Sequence, residues 1–151
     1  MANFVCEVLL TEAPLGAPPQ NYRLNAGAVV DFFGVVRRLE DRREIEGIEY
    51  QAHREMAEHQ LRQIADQATE TFRLQLAIIH HRIGFIAVGE LSLFIRVASP
   101  HRGEAFQACQ CMVDELKKKV PIWKRPRFKT GDDKRPGLTA PTAAPIAATA
   151  K

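Results

Sequence analysis

The period of the apolar residues changes along this chain, and that change constrains the fold more than any other feature. Phe4–Leu10 is a short run rich in strand formers, ended by Pro14, Gly16, Pro18 and Pro19. Gly27–Val36 reads as a second strand, with Gly34 marking a bulge or a close backbone approach. Arg37–Glu46 carries eight charges in ten residues and is expected to be a solvated loop. Ile48, Tyr50 and Ala52 then alternate with Glu49 and Gln51, as in a half-buried strand. At Arg54 the period becomes helical: Ala57, Leu61, Ile64, Ala65, Ala68 and Phe72 form one stripe. Leu74–Arg82, closed by Gly84, returns to strand character. Glu90–Ala98 alternates Leu91, Leu93, Ile95 and Val97 with Glu90, Ser92, Phe94 and Arg96. A second helix follows Pro100, with an expected seam of Phe106, Cys109, Val113, Leu116 and Val120, and Pro121 stops it.

The resulting order is β-β-β-α-β-β-α followed by a basic extension. Strands do not alternate one-for-one with helices, so an α+β domain with a largely antiparallel sheet and two main helices is expected, not a doubly wound fold. With 151 residues, the chain suits one domain over 1–137. Residues 138–151 hold six Ala, three Thr and two Pro, a composition that builds no core and predicts a disordered tail. No stretch approaches the roughly 20 apolar residues of a membrane helix. The N-terminus has no basic region before its apolar run, which Glu7 interrupts, so no signal peptide is expected. Cys6, Cys109 and Cys111 do not make a disulfide framework, and a reducing cytoplasm is the expected location.

Charge is unevenly distributed. Residues 1–116 hold 11 Lys+Arg against 16 Asp+Glu, whereas 117–135 hold nine basic residues and two acids. Such a segment meets phosphate, nucleic acid or a carboxylate-bearing partner, or else is a solvated helix end and tail. Cys109 and Cys111 lie about 200° apart on a helix and cannot pinch one metal. Cys109 falls in the apolar seam; a catalytic cysteine stays open, with nothing nearby to argue for it. His80 and His81 are adjacent in a strand and point to opposite faces. No metal site is expected, and no nucleophile elbow, phosphate loop or dinucleotide fingerprint is present. What remains is cations at telling positions. Arg37 leaves a hydrophobic strand. His101 and Arg102 open the second helix, where a cation is unfavourable unless an anion is expected. Lys117–Lys119 close that helix, where complementing its dipole suffices as an explanation. Lys124 and Arg125 follow the apolar Pro121-Ile122-Trp123. Lys117 lies one turn after Val113, and a partly desolvated lysine among other cations is a competent acid, base or nucleophile.

An ordered set of segments carries a family resemblance: Phe32-Phe33-Gly34-Val35-Val36-Arg37, Glu49-Tyr50 with Glu55-Met56-Ala57-Glu58, His81-Arg82-Ile83-Gly84, Ser99-Pro100-His101-Arg102, and Leu116-Lys117-Lys118-Lys119-Val120-Pro121-Ile122-Trp123-Lys124. Over Gly27 to Arg125 the chain resembles the large, catalytic subunit of molybdopterin synthase. The resemblance implies a hammerhead-like α+β fold. It also implies an enzyme that installs two dithiolene sulfurs in a cyclic pyranopterin monophosphate, with no cofactor of its own. The sulfur would come from the C-terminal Gly-Gly thiocarboxylate of a small ubiquitin-like partner, within a heterotetramer built on a homodimer. By position, Arg37, His101 and Arg102 match residues that bind the pterin phosphate, with Arg125 a further contact, and Lys117 and Lys124 match the catalytic lysines. Val35 stands where the family often has lysine, and Pro100 where alanine is usual. Arg125-Pro126-Arg127-Phe128 replaces an acidic and aromatic continuation.

Two other readings remain at this level: a catalytically weakened relative acting as a binding module, and a nucleic-acid binder using 117–135. The second has only Trp123 and Phe128 as stacking aromatics and no recognisable motif. Helix geometry adds an expectation about assembly. Arg102 and Lys117 are fifteen residues apart, so one unbroken helix separates them by roughly 22 Å. A two-fold dimer that brings the His101-Arg102 end of one helix to the Lys117 end of its mate would make two composite sites.

Overall fold

The computed structural model describes residues 4–20, 25–129 and 144–145. Its element order is β1 (Val5–Thr11), β2 (Ala28–Val35), β3 (Leu39–Glu40), β4 (Arg43–Ala52), α1 (Arg54–Phe72), β5 (Leu76–Arg82), β6 (Gly84–Ala87), β7 (Leu91–Ser99), α2 (Arg102–Lys119), β8 (Ile122–Phe128) and β9 (Ala144–Pro145). The α+β class stands, but the strands form two sheets where one was expected. The first runs β1-β5-β7-β2, parallel only at β1–β5. The second runs β3-β4-β8-β9, with β6 also paired to β4. The chain changes sheets after the bulge at Gly34/Val35, where the register of β2 on β7 shifts.

Both helices lie on the first sheet, α1 on β1 and β5 and α2 on β7 and β2, and they pack on each other. The helical stripe of α1 is buried as its period requires, through Ala57, Leu61, Ile64, Ala65 and Ala68. His53 caps its start by accepting from the Met56 N–H at 3.3 Å. Arg73, left-handed at φ 54°, ends it with its N–H on the Thr69 carbonyl. The seam of α2 is rotated from the expected one. Ala105, Ala108, Cys109, Met112 and Leu116 face the core, while Phe106 is 61% exposed. The two alanines let the helix lie close against β2 and β7, and small residues are easily missed when a seam is read from large ones.

Strand β7 is buried along most of its length because both its faces are covered. Leu93, Ile95 and Val97 join the helix-side core. On the other face Arg96 chelates Asp31 through Nε and Nη2, at 2.7 and 2.8 Å, and donates to the Pro18 and Pro19 carbonyls. That pair pins the proline-rich segment across the sheet.

One expectation is corrected here, and two strands are found where none was expected. The charged segment 37–46 is not a loop: Leu39 and Glu40 pair with Glu44 and Arg43 in a hairpin, and Ile45 turns inward. Asp41 and Arg42 both have positive φ, 50° and 62°, the two-residue turn whose twist matches a hairpin. Gly84–Ala87 and Ile122–Phe128, which carried no strand expectation, are strands on either side of β4. Of the expected tail, only Ala144 and Pro145 are described, paired with Lys124 and Trp123; the rest lies outside the described residues.

Candidate functional site

The two sheets, the end of α2 and the β3–β4 hairpin meet around a cavity of about 270 Å³. Phe32 and the run from Gly34 to Arg37 bring the end of β2 and its bulge, and β7 brings Ser92 and Leu93. His81 comes from β5, Ile48 and Tyr50 from β4, Leu116 and Lys117 from α2, Lys124 from β8 and Glu40 from the hairpin. The packed elements around the opening make the position of its charged groups a property of the fold.

Strand geometry explains which cations arrive. Along β8, Ile122, Lys124, Pro126 and Phe128 share one face, with Ile122 and Phe128 buried in the core. Lys124 therefore points inward and stands opposite Tyr50 in the β4–β8 register. Arg125 and Arg127 take the other face and are exposed; Arg127 stacks on Phe85 at 4.0 Å and pairs with Glu49 at 3.5 Å. Lys117 is half-buried beside Leu116, while Lys118 and Lys119 are exposed and pair with Glu115.

Of the residues singled out from sequence, Arg37, Lys117 and Lys124 share this cavity. Arg125 does not line it. His101 and Arg102 are exposed at the far end of α2, where His101 is the N-cap and makes no side-chain capping bond. Sequence reasoning missed Glu40. Its Oε1 accepts from Lys124 Nζ at 2.9 Å, both side chains are only 11% exposed, and Oε2 lies 3.8 Å from Arg37. The signal was hidden in a run of alternating charges.

His81 and Tyr50 form the polar part of the wall. His81 is buried at 1% exposure, packs edge-on against Tyr50 with ring centroids 5.5 Å apart, and shares a 2.7 Å hydrogen bond between Nδ1 and the Arg82 carbonyl. The carbonyl can only accept, so Nδ1 carries the proton and Nε2 is left as an acceptor. Burial pushes the imidazole down from 6.5 to about 4, against the opposing pull of that carbonyl, so the ring is neutral near pH 7. Burial also raises the Tyr50 phenol, which a hydrogen bond with Ser92 partly offsets. The wall contains no cysteine among the described residues. Cys109 sits in the core, where burial pushes its thiol up to about 11. No cluster of three potential metal ligands occurs among the described residues, and none of their helices is long and apolar enough to cross a membrane.

Comparison with known proteins agrees with the resemblance. The family model described as MoaE protein matches residues 11–119. A protein of Thermoplasma volcanium named molybdopterin synthase catalytic subunit is 40% identical over 110 residues, which span 73% of this chain and 80% of that one. A Staphylococcus carnosus protein of the same name is 36% identical over 125 residues, 82% of this chain and 83% of its own. Among solved structures, the crystal structure of molybdopterin synthase from Staphylococcus aureus superposes with a TM-score of 0.71 at 32% identity, covering 87% of this chain and 95% of that one. A complex of subunits 1 and 2 of molybdopterin-converting factor from Helicobacter pylori shares the fold, with a TM-score of 0.60 at 16% identity, covering 84% and 91%.

Fold and relatives together define an enzyme of molybdenum cofactor biosynthesis. Within that class the chain belongs to the MoaE family, that of molybdopterin synthase catalytic subunits.

Proposed function

We propose that the cavity receives a cyclic pyranopterin monophosphate and that the chain converts it to molybdopterin by two sulfur transfers. Each sulfur comes from the C-terminal Gly-Gly thiocarboxylate of a small ubiquitin-like partner. Each transfer replaces one carbon–oxygen bond of the pterin side chain with a carbon–sulfur bond, and cleavage of the partner's acyl–sulfur bond, which takes up oxygen at the water level, leaves an ordinary carboxylate on the spent partner. The observation that carries this reading is the convergence of Lys117 and Lys124, from a helix and a strand, on one cavity with Arg37 at its edge. Both the substrate and the partner's tail are anions, and the wall supplies ammonium and guanidinium groups where a sulfur relay would need a thiol.

Lys117 is assigned the acid–base role at the attacked carbon. Lys124 neutralises charge on the thiocarboxylate and on developing oxyanions. Arg37 holds the phosphate, with His101, Arg102 and Arg125 as further phosphate contacts. None of these last three lines the cavity formed by this chain, and His101 and Arg102 would be delivered by a second copy. Lys117 and Arg102 sit near opposite ends of the 18-residue helix α2, roughly 22 Å apart along its axis. The Helicobacter pylori relative is described in complex with a second subunit. By analogy the assembly here is a homodimer carrying two small partners, working in the cytoplasm.

The test is reconstitution with thiocarboxylated partner and cyclic pterin, assayed for dithiolene. Wild type should form it, and a folded Lys117→Ala protein should lose most turnover; near-normal product from that variant would remove the assigned role. Mixing inactive His101→Ala with inactive Lys117→Ala under subunit exchange tests the composite site. Random pairing makes about half the dimers mixed, each with one intact site, so roughly a quarter of the activity should return. No recovery despite exchange would put the whole site in one chain.

A further inference from the structure

A carboxylate in a cavity built for anions calls for a reason. Among the described residues lining the cavity, Glu40 is the only acid. It lies between two cations, accepting from Lys124 Nζ through Oε1 at 2.9 Å and facing Arg37 with Oε2 at 3.8 Å. It also costs backbone conformation to put there. The hairpin that presents it turns through Asp41 and Arg42, two successive non-glycine residues at positive φ. The hairpin is fastened to the end of β8: the Arg43 guanidinium lies 3.7 Å from the centre of the Phe128 ring, and the Lys129 N–H donates to the Glu44 carbonyl at 3.1 Å. Glu40 is thus held by a rigid, strained element, and Lys124 is held by Glu40.

We propose that Glu40 is the positioning residue for Lys124, an inference that rests on the sulfur-transfer reading of this cavity. A lysine amine on a four-carbon stem has many rotamers and, left alone, moves toward water. One of its three N–H groups is fixed on Glu40, so the other two are aimed and remain available to the reacting anion. The carboxylate lowers the net positive charge of the cavity, yet it fixes where that charge stands. Preorganised charge stabilises a transition state better than mobile charge does. Glu40 therefore acts through Lys124 and touches no reacting atom.

The experiment pairs Glu40→Gln with Lys124→Ala in the reconstituted synthase and follows Lys124 itself in the isolated protein. Glu40→Gln keeps the shape and an acceptor but removes the charge. It should lower turnover about tenfold while the KM for the pterin stays within about twofold. In the Lys124→Ala background the same substitution should change turnover by less than about twofold, because the group it positions is gone. Reductive methylation with formaldehyde and cyanoborohydride, mapped by peptide mass, should modify Lys124 several-fold faster in Glu40→Gln than in wild type. Wild-type turnover in Glu40→Gln, or penalties that multiply in the double variant, would overturn the proposal, and so would an unchanged methylation rate. If wild type formed no dithiolene, the sulfur-transfer reading would fall. The methylation rates, which need neither partner nor substrate, would still decide whether Glu40 holds Lys124.

Discussion

Replacing His81 with phenylalanine should flatten the acid side of the stability curve. The folded chain keeps His81 neutral down to about pH 4, because protonation would put a charge in a site with 1% exposure. In the unfolded chain the ring takes a proton at the ordinary value of 6.5. Between those values the unfolded state binds more protons, so stability falls as the pH drops through that window. Linkage makes the loss about 2 kcal/mol by pH 5 and about 3 kcal/mol by pH 4. Phenylalanine preserves an aromatic ring against Tyr50 and gives up the hydrogen bond to the Arg82 carbonyl, which costs about 1 kcal/mol at pH 7. Urea unfolding of both proteins at pH 7, 6, 5 and 4.5 measures the difference directly, and the carboxylates common to both largely cancel. The variant should start less stable and converge on or overtake wild type by about pH 5. Parallel curves across this range would show that His81 takes its proton in the folded state at an ordinary pH, refuting the burial argument.

Three further outcomes follow from the same geometry. Gly47→Ala would put a Cβ 2.4 Å from the Ile86 carbonyl oxygen and 2.5 Å from Phe85 Cζ, so calorimetry should show a lower melting temperature, equivalent to roughly 2–3 kcal/mol. Arg42→Gly relieves a left-handed backbone at φ 62° and should raise stability in urea by about 0.5–1 kcal/mol. Arg37→Ala removes a side chain that is 68% exposed; its melting temperature should stay near wild type while the KM for the pterin rises more than kcat falls.

Long periodic elements were legible in the sequence because burial on one face leaves a period. The stripe of α1 from Ala57 to Ala68 is the clearest case, and Pro121 marked the end of α2 correctly. The hairpin at Leu39–Glu44 was not legible. Its turn is Asp41-Arg42, without the glycine that normally announces such a turn, and its charges resemble those of a solvated loop. Strand β8 was hidden for a related reason: Lys124, Arg125 and Arg127 obscure an alternation whose inward members are Ile122, Lys124, Pro126 and Phe128. The same ambiguity governs the site. Arg37, Lys117 and Lys124 stood out because they interrupt or follow apolar runs. Glu40 did not, because only the folded hairpin reveals which of its neighbouring charges turns inward.

The turn at Val120-Pro121 explains why two lysines seven positions apart serve one cavity. In a continuous helix, residues seven apart lie on nearly the same side, about 10.5 Å apart along the axis, and both would belong to one packing unit. Here α2 stops at Lys119, the Val120 N–H closes the last turn on the Leu116 carbonyl, and Pro121 prevents its continuation. The Pro121 carbonyl accepts from the His53 N–H at 3.3 Å, tying the turn to the start of α1. The chain then leaves as β8, and Lys124 enters the second sheet while Lys117 stays on the helix that packs on the first. Each lysine is anchored by a different layer, and the cavity is the gap between those layers. Side-chain packing on both sides of that gap, at residues such as Ile48 and Leu116, therefore sets the spacing of the two amines.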